Sequence, residues 1–186
     1  MTKVAVLVGS LRRDSLSRKL AHALAAAAPP ILTFDFVEIG QLALFNQDFE
    51  TDGTTPPEYP IFRDRIRSAD AVLFVTPEYN RSVPAALKNA LDVGSRPYGA
   101  SVWGGKPAAV VSNSPGALGG FGANHALRQS LVFLDMPVLQ QPEAYIGNAS
   151  KMFAADGVVV DEATRGFLGT IMTAFAAWIE RTAPRG

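Results

Sequence analysis

The chain contains no cysteine among its 186 residues. That absence excludes disulfides, thiolate metal sites, iron–sulfur ligation and any cysteine nucleophile, including the one used by phosphatases built on similar sheets. Only two histidines occur, His22 and His125, and neither has a partner at metal-ligand spacing, so both read as structural. The G-x-S-x-G elbow of serine hydrolases is missing. Neither sign of charge is in excess, since seventeen Lys and Arg balance seventeen Asp and Glu. Nothing in that balance points to nucleic acid or an anionic membrane as a partner. No apolar run approaches the length needed to cross a bilayer. Lys3 is followed by only five apolar residues before Gly9, too few for a signal-peptide core. A cytoplasmic location is expected. There is no internal repeat, low-complexity tract or linker, and residues 1–186 are read as a single domain with a sizeable core.

Within that frame, apolar runs alternate with helical patterns. Residues 4–8 (VAVLV) are apolar throughout, and 71–76 (AVLFVT) and 108–112 (AAVVS) are apolar up to a closing hydroxyl residue, as strands buried on both faces are. Residues 31–39 alternate, with Leu32, Phe34 and Phe36 on one side, and read as a strand near an edge. Residues 138–146 are expected to form a fifth strand, made irregular by Pro142. Helical spacing begins at Leu16 and stops at Pro29 and Pro30. It recurs over 61–69, from Pro84, over 124–135 and over 161–181, and a Pro-rich acidic loop is expected over 41–60. Strands alternating with helices predict an α/β fold: a doubly wound, five-stranded parallel sheet of order 2-1-3-4-5 with helices on both faces. In that order, the segments following the first, third and fourth strands meet at the topological switch point.

Those three segments differ in composition from the rest of the chain. The first, GSLRRDSLSRKL, places Ser10, Arg12, Ser15 and Ser17 at a helix N-terminus, where unpaired N–H groups and the helix dipole favour an anion. It is neither a Walker loop nor a dinucleotide fingerprint. Hydroxyls with one arginine suit a terminal phosphomonoester, and they equally suit a helix cap with solvated arginines. The second, PEYNRSVP, presents Tyr79 and Asn80 after a buried strand. It could line a flat heteroaromatic ring or form a turn with Tyr79 packed inward. The third carries Gly116, Gly119, Gly120 and Gly122. Glycines there permit close backbone approach, although a mobile surface loop has the same composition.

GSLRRDSLSRKL, TPEYNRSVPAALKNALD and GKPAAVVSNSPGALGG resemble, in order and spacing, the NADPH-dependent FMN reductase family of flavodoxin-like proteins. Within it, the nearest likeness is to the soluble quinone and chromate reductases. The resemblance runs from Val4 to about Glu180. It implies FMN as cofactor and NAD(P)H as electron donor. Ser10, Arg12, Ser15 and Ser17 would hold the 5′-phosphate, with Ser17 standing where relatives often carry asparagine. Pro77, Glu78, Tyr79 and Asn80 would border the isoalloxazine, and Ser114 and Gly116 would close the other side. No catalytic side chain is implied, because the flavin carries the chemistry.

The resemblance also implies ping-pong turnover. A hydride would pass from the nicotinamide to flavin N5, and a small-molecule acceptor would then enter the same space. Two-electron reduction of quinones is the leading expectation, with chromate, azo and nitro compounds as incidental acceptors. The alternatives are a flavin reductase that releases reduced FMN to a partner enzyme, and a flavodoxin-type electron carrier. The carrier reading is weakened by the near-zero net charge. Relatives form dimers or tetramers. Phe45, Phe49, Trp103 and Phe121 lie in expected loops, where a monomer would struggle to bury them all. His125 is expected either to meet Glu143 of a second subunit or to pack within its own.

Overall fold

The computed structural model describes residues 1–154 and 157–183. Five strands, β1 (Thr2–Val8), β2 (Leu32–Phe36), β3 (Ala71–Pro77), β4 (Ala108–Asn113) and β5 (Ala144–Ile146), form one sheet of order β2-β1-β3-β4-β5. All four pairings are parallel, which is the order expected from the sequence.

Strand alternation sends each strand's side chains into two cores. Val4, Val6 and Val8 face α1 (Leu16–Ala26) and α6 (Glu162–Thr182), meeting Leu20, Leu24, Leu168, Met172 and Phe175. Ala5 and Leu7 face the opposite layer, which contains α3 (Glu58–Arg67), α4 (Ala85–Gly94) and α5 (Phe121–Phe133). There they join Phe62, Ile66, Leu87, Leu91, Leu127 and Leu131. The central strands β1, β3 and β4 are almost wholly buried, which explains their largely apolar sequences.

Several boundaries differ from expectation. The 41–60 stretch is not a plain loop: it holds a short α2 (Asp48–Thr51), and α3 begins at Glu58. Pro60 lies in the first turn of α3, where its missing N–H is no loss, and Glu58 there favours the helix dipole. Residues 138–146 do not form one strand. Val138 makes a single bridge to Ala108, and pairing resumes only at Ala144. Between them lies Pro142, after a cis Gln141-Pro142 bond, and proline has no N–H to give the ladder. Helix α5 starts at Phe121, three residues before the expected Asn124, because its first turn is capped from a distant loop.

The four aromatics expected in loops fare differently, and not all are buried. Trp103 is fully buried, with its indole N–H donating to the Leu91 carbonyl at 3.0 Å. Phe45 and Phe49 pack half-buried against the same core, leaving Phe121 of the four half-exposed. A Cβ on Gly94 would lie 2.5 Å from the Trp103 ring, so glycine is required where the indole crosses α4. The more exposed aromatics are Phe133 and Tyr98, at 88% and 93%.

Candidate functional site

At the carboxyl end of the sheet, β1 and β3 lie side by side and their outgoing chains separate towards opposite faces. Crevices of this kind are where open α/β sheets bind ligands. Gly9 lets the two chains begin close together: a Cβ there would lie 2.9 Å from Thr76 Oγ1 and 3.2 Å from Pro77 Cδ.

The chain then runs through residues 10–15 into α1. Ser15 is the N-cap, its Oγ accepting the Arg18 N–H at 3.1 Å. That bond uses an acceptor lone pair and leaves the Ser15 hydroxyl proton free to donate. Among the described residues, no protein acceptor receives any backbone N–H of residues 10–17. Ser10 is buried, yet its hydroxyl has no partner among the described residues, and the exposed Arg12 guanidinium has none either. A run of unpaired donors at a helix N-terminus, with a hydroxyl and a guanidinium beside it, is an anion site by its chemistry.

Ser17 occupies a different position from the other three expected phosphate residues. Its side chain is buried, and its hydroxyl donates to Asn113 Oδ1 at 2.7 Å. That proton is committed to a residue at the end of β4, so Ser17 offers an anion its main-chain N–H alone. The Asn113 contact was not read from the sequence. Its one trace there was an amide-bearing residue closing a mostly apolar strand.

The second loop is a tight hairpin. Tyr79 and Ser82 exchange both backbone hydrogen bonds, at 3.1 and 3.0 Å. Asn80 and Arg81 supply the two left-handed residues between them, with φ of 51° and 65°. Tyr79 and Asn80 are exposed and Pro77 is half-buried, so this loop presents an aromatic face and an amide at the crevice. Glu78 does not turn its carboxylate that way. One oxygen accepts the Ala123 N–H at 3.1 Å in the first turn of α5, and the other pairs with Arg81 at 3.2 Å.

The glycine-rich loop after β4 is fastened along its length. The Ser114 N–H donates to Ile146, while the Ser114 and Gly116 carbonyls accept from Ala149 and Asn148. Ser114 Oγ donates to the Gly116 carbonyl at 3.0 Å. Gly119, at φ +60°, passes so close to β5 that a Cβ would sit 2.5 Å from the Tyr145 carbonyl carbon, and one on Gly147 would sit 2.4 Å from Ala117 O. Gly116 differs: it is exposed, and a Cβ there would meet only Ser114 Oγ, at an ordinary 3.9 Å.

Behind this loop, His125 finds its partners within its own chain. Its Nε2 lies 2.9 Å from the Tyr145 hydroxyl, and its ring packs against Phe121. Burial and a hydrogen bond to Glu143 raise the Tyr145 pKa. Glu143, Tyr145 and His125 therefore form one surface chain. His22 stacks on Phe36, with ring centroids 4.3 Å apart.

A doubly wound sheet with a phosphate-type cradle after β1 and an aromatic hairpin after β3 defines a mononucleotide-binding protein of the flavodoxin-like class. The family profile described as NADPH-dependent FMN reductase matches residues 2–151. A quinone reductase from Pseudomonas putida is 61% identical over 178 residues, covering 95% of this chain and 94% of that protein. A 2-hydroxy-1,4-benzoquinone reductase from a Burkholderia species is 50% identical over 177 residues, covering 95% and 96%. The structure of FerB, a flavoenzyme NAD(P)H:(acceptor) oxidoreductase from Paracoccus denitrificans, superposes with a TM-score of 0.92 at 44% identity, covering 99% and 100%. The chain belongs to the NADPH-dependent FMN reductase family. It is an oxidoreductase with FMN as cofactor and NAD(P)H as electron donor.

Proposed function

We propose that this chain is an NAD(P)H:quinone oxidoreductase whose FMN lies across the β1–β3 crevice. Bound FMN supplies two-electron transfer between the nicotinamide donor and a quinone acceptor. The observation that carries the reading is the unpaired N–H run over residues 10–17, which matches a dianionic phosphate in charge and donor chemistry. Ser10 and Ser15 donate hydroxyl protons to that phosphate, Arg12 closes over it, and Ser17 contributes its main-chain N–H. Pro77, Tyr79 and Asn80 border the ring, while Glu78 holds their hairpin against α5. Ser114 and Gly116 form the opposite wall, fixed by the bonds to residues 146–149. The quinone relatives support the acceptor class.

Residues 1–186 act as one domain in this reading, working in the cytoplasm as a dimer or tetramer. Phe121, Val132 and Phe133 of α5, 51 to 88% exposed, give self-association a face. Among the described residues, no helix is long and apolar enough to cross a membrane.

The test is to purify the protein, identify its chromophore, and assay NADH and NADPH oxidation with a benzoquinone or with free FMN as acceptor. The expected result is retained FMN, one per chain, and quinone turnover well above turnover of free FMN. Loss of flavin on gel filtration together with preferred turnover of free FMN would replace this reading with that of a reductase releasing reduced flavin.

A further inference from the structure

Asn113 ends β4 on the side of the sheet that faces α1, and it is 2% exposed. Its Oδ1 accepts the Ser17 hydroxyl proton at 2.7 Å. Its Nδ2 has no partner among the described residues. Yet among the described residues no fully buried side-chain nitrogen or oxygen lacks a hydrogen bond, so Nδ2 is the part of this side chain that reaches accessible space. It does so beside the first turn of α1, where the N–H groups of residues 10–17 are unpaired. A buried amide, fixed at its oxygen and unpaired at its nitrogen next to a helix N-terminus, is a donor prepared for an anion.

Resting on the FMN reading above, we propose that Asn113 is a direct ligand of the FMN 5′-phosphate through Nδ2–H, and that Ser17 is its positioning residue. The Ser17 hydroxyl proton goes to Oδ1 and cannot also go to phosphate. By fixing Oδ1, it turns the other end of the amide towards the anion and removes the rotational freedom that binding would otherwise have to quench. A side chain from the end of β4 thereby completes a phosphate site whose other ligands all come from the chain after β1.

FMN and riboflavin differ only in the phosphate, and dissociation constants for both isolate its contacts. Asn113→Asp keeps the oxygen that receives the Ser17 proton, so the packing is preserved, but it replaces the donor with a carboxylate. It should weaken FMN binding by about a hundredfold or more, with riboflavin binding within about twofold of wild type. Asn113→Ala should weaken FMN binding by about tenfold. Ser17→Ala should lower FMN affinity in the wild-type background and add nothing in the Asn113→Ala background, the signature of a residue acting through another. Equal losses for FMN and riboflavin, unchanged FMN affinity in Asn113→Asp, or a full additional loss from Ser17→Ala in the double variant would each overturn the assignment while leaving the enzyme reading intact. Failure of the wild-type chain to bind FMN would overturn the functional reading and this assignment with it.

Discussion

Glu78 and Ala123 are joined by a 3.1 Å hydrogen bond from the Ala123 N–H to Oε2, across 45 positions of sequence. A carboxylate in the first turn of α5 satisfies one of that helix's unpaired donors and lies at the favourable end of its dipole. The same carboxylate holds Arg81 in the hairpin beside the crevice. Glu78→Ala should therefore cost about 1–2 kcal/mol in urea unfolding. It should also weaken FMN and riboflavin binding alike, because it loosens a wall of the ring site and leaves the phosphate site intact. Glu78→Gln, which keeps an acceptor oxygen, should recover most of the stability.

Gly122 lies between the same two elements. A Cβ there would come within 2.9 Å of the Arg81 carbonyl oxygen and 3.0 Å of Glu78 Oε2. Gly122→Ala should displace the hairpin and destabilise the protein by about 1–3 kcal/mol, readable as a lower urea midpoint with an unchanged slope. A wild-type midpoint would mean that α5 and the hairpin move apart freely.

Arg12 is exposed and bonded to none of the described residues, so its removal should leave the fold unchanged. Arg12→Ala should lower FMN affinity by about one to two decades, as expected for a charge-assisted bond to phosphate. Melting of the flavin-free protein should not shift. Unchanged FMN retention in this variant would place the phosphate elsewhere.

Acid should remove the contribution of two ion pairs beside β2. The hydrogen bond from Arg65 lowers the Asp35 pKa against the opposing effect of burial, with Lys3 adding to the lowering. Arg18 lowers that of Glu38 in the same way. Both folded-state values lie below the unfolded ones, so these pairs contribute their full stability above the unfolded carboxylate range. That contribution falls away as pH drops through the depressed folded values. Asp35→Asn should reduce stability at pH 7 by about 1 kcal/mol or less, since the pair is partly exposed. The penalty should shrink steadily as pH falls through the carboxylate range and disappear only below the depressed folded value. A difference that stays constant between pH 7 and pH 3 would show that the pair adds nothing through ionisation.

Trp103→Ala should cost about 3–5 kcal/mol, because a fully buried indole and its bond to Leu91 are both lost. The sequence around Trp103, between glycines and prolines, looks like an exposed loop, and nothing local reveals the cavity that receives it. Gly94, nine positions earlier, makes that cavity, and its purpose becomes visible only once α4 is placed beside the ring.

The sheet order was legible because apolar runs over residues 4–8, 71–76 and 108–112 mark strands buried on both faces. The three loops at the switch point were legible because hydroxyl, amide and glycine cluster there and in few other places. What escaped notice depends on contacts between distant residues. The early start of α5 needs Glu78, and the retreat of Ser17 from the anion needs Asn113. Glu78 was expected only as one of the residues bordering the ring, and the position of α5 is what shows its carboxylate capping that helix. The break in the last strand was partly foreseeable from Pro142, but its extent was not, because Val138 meets β4 only at its first residue, Ala108, and the pairing resumes at Val111 with Ala144.

The brevity of β5 has a bearing on behaviour in concentrated solution. A parallel sheet ends in two open edges, and an open edge is a template on which another molecule can add a strand. Here one edge is a strand of three residues, Ala144–Ile146, preceded by a proline with no N–H to offer and followed by Gly147 pressed against Ala117. An incoming strand would find too few groups to pair with. At the other edge, β2 carries Asp35, held by Arg65 and Lys3, so that a partner strand would have to settle over fixed charges. The chain is thereby resistant to growing from its sheet into larger aggregates, and any association between copies falls to the helical faces.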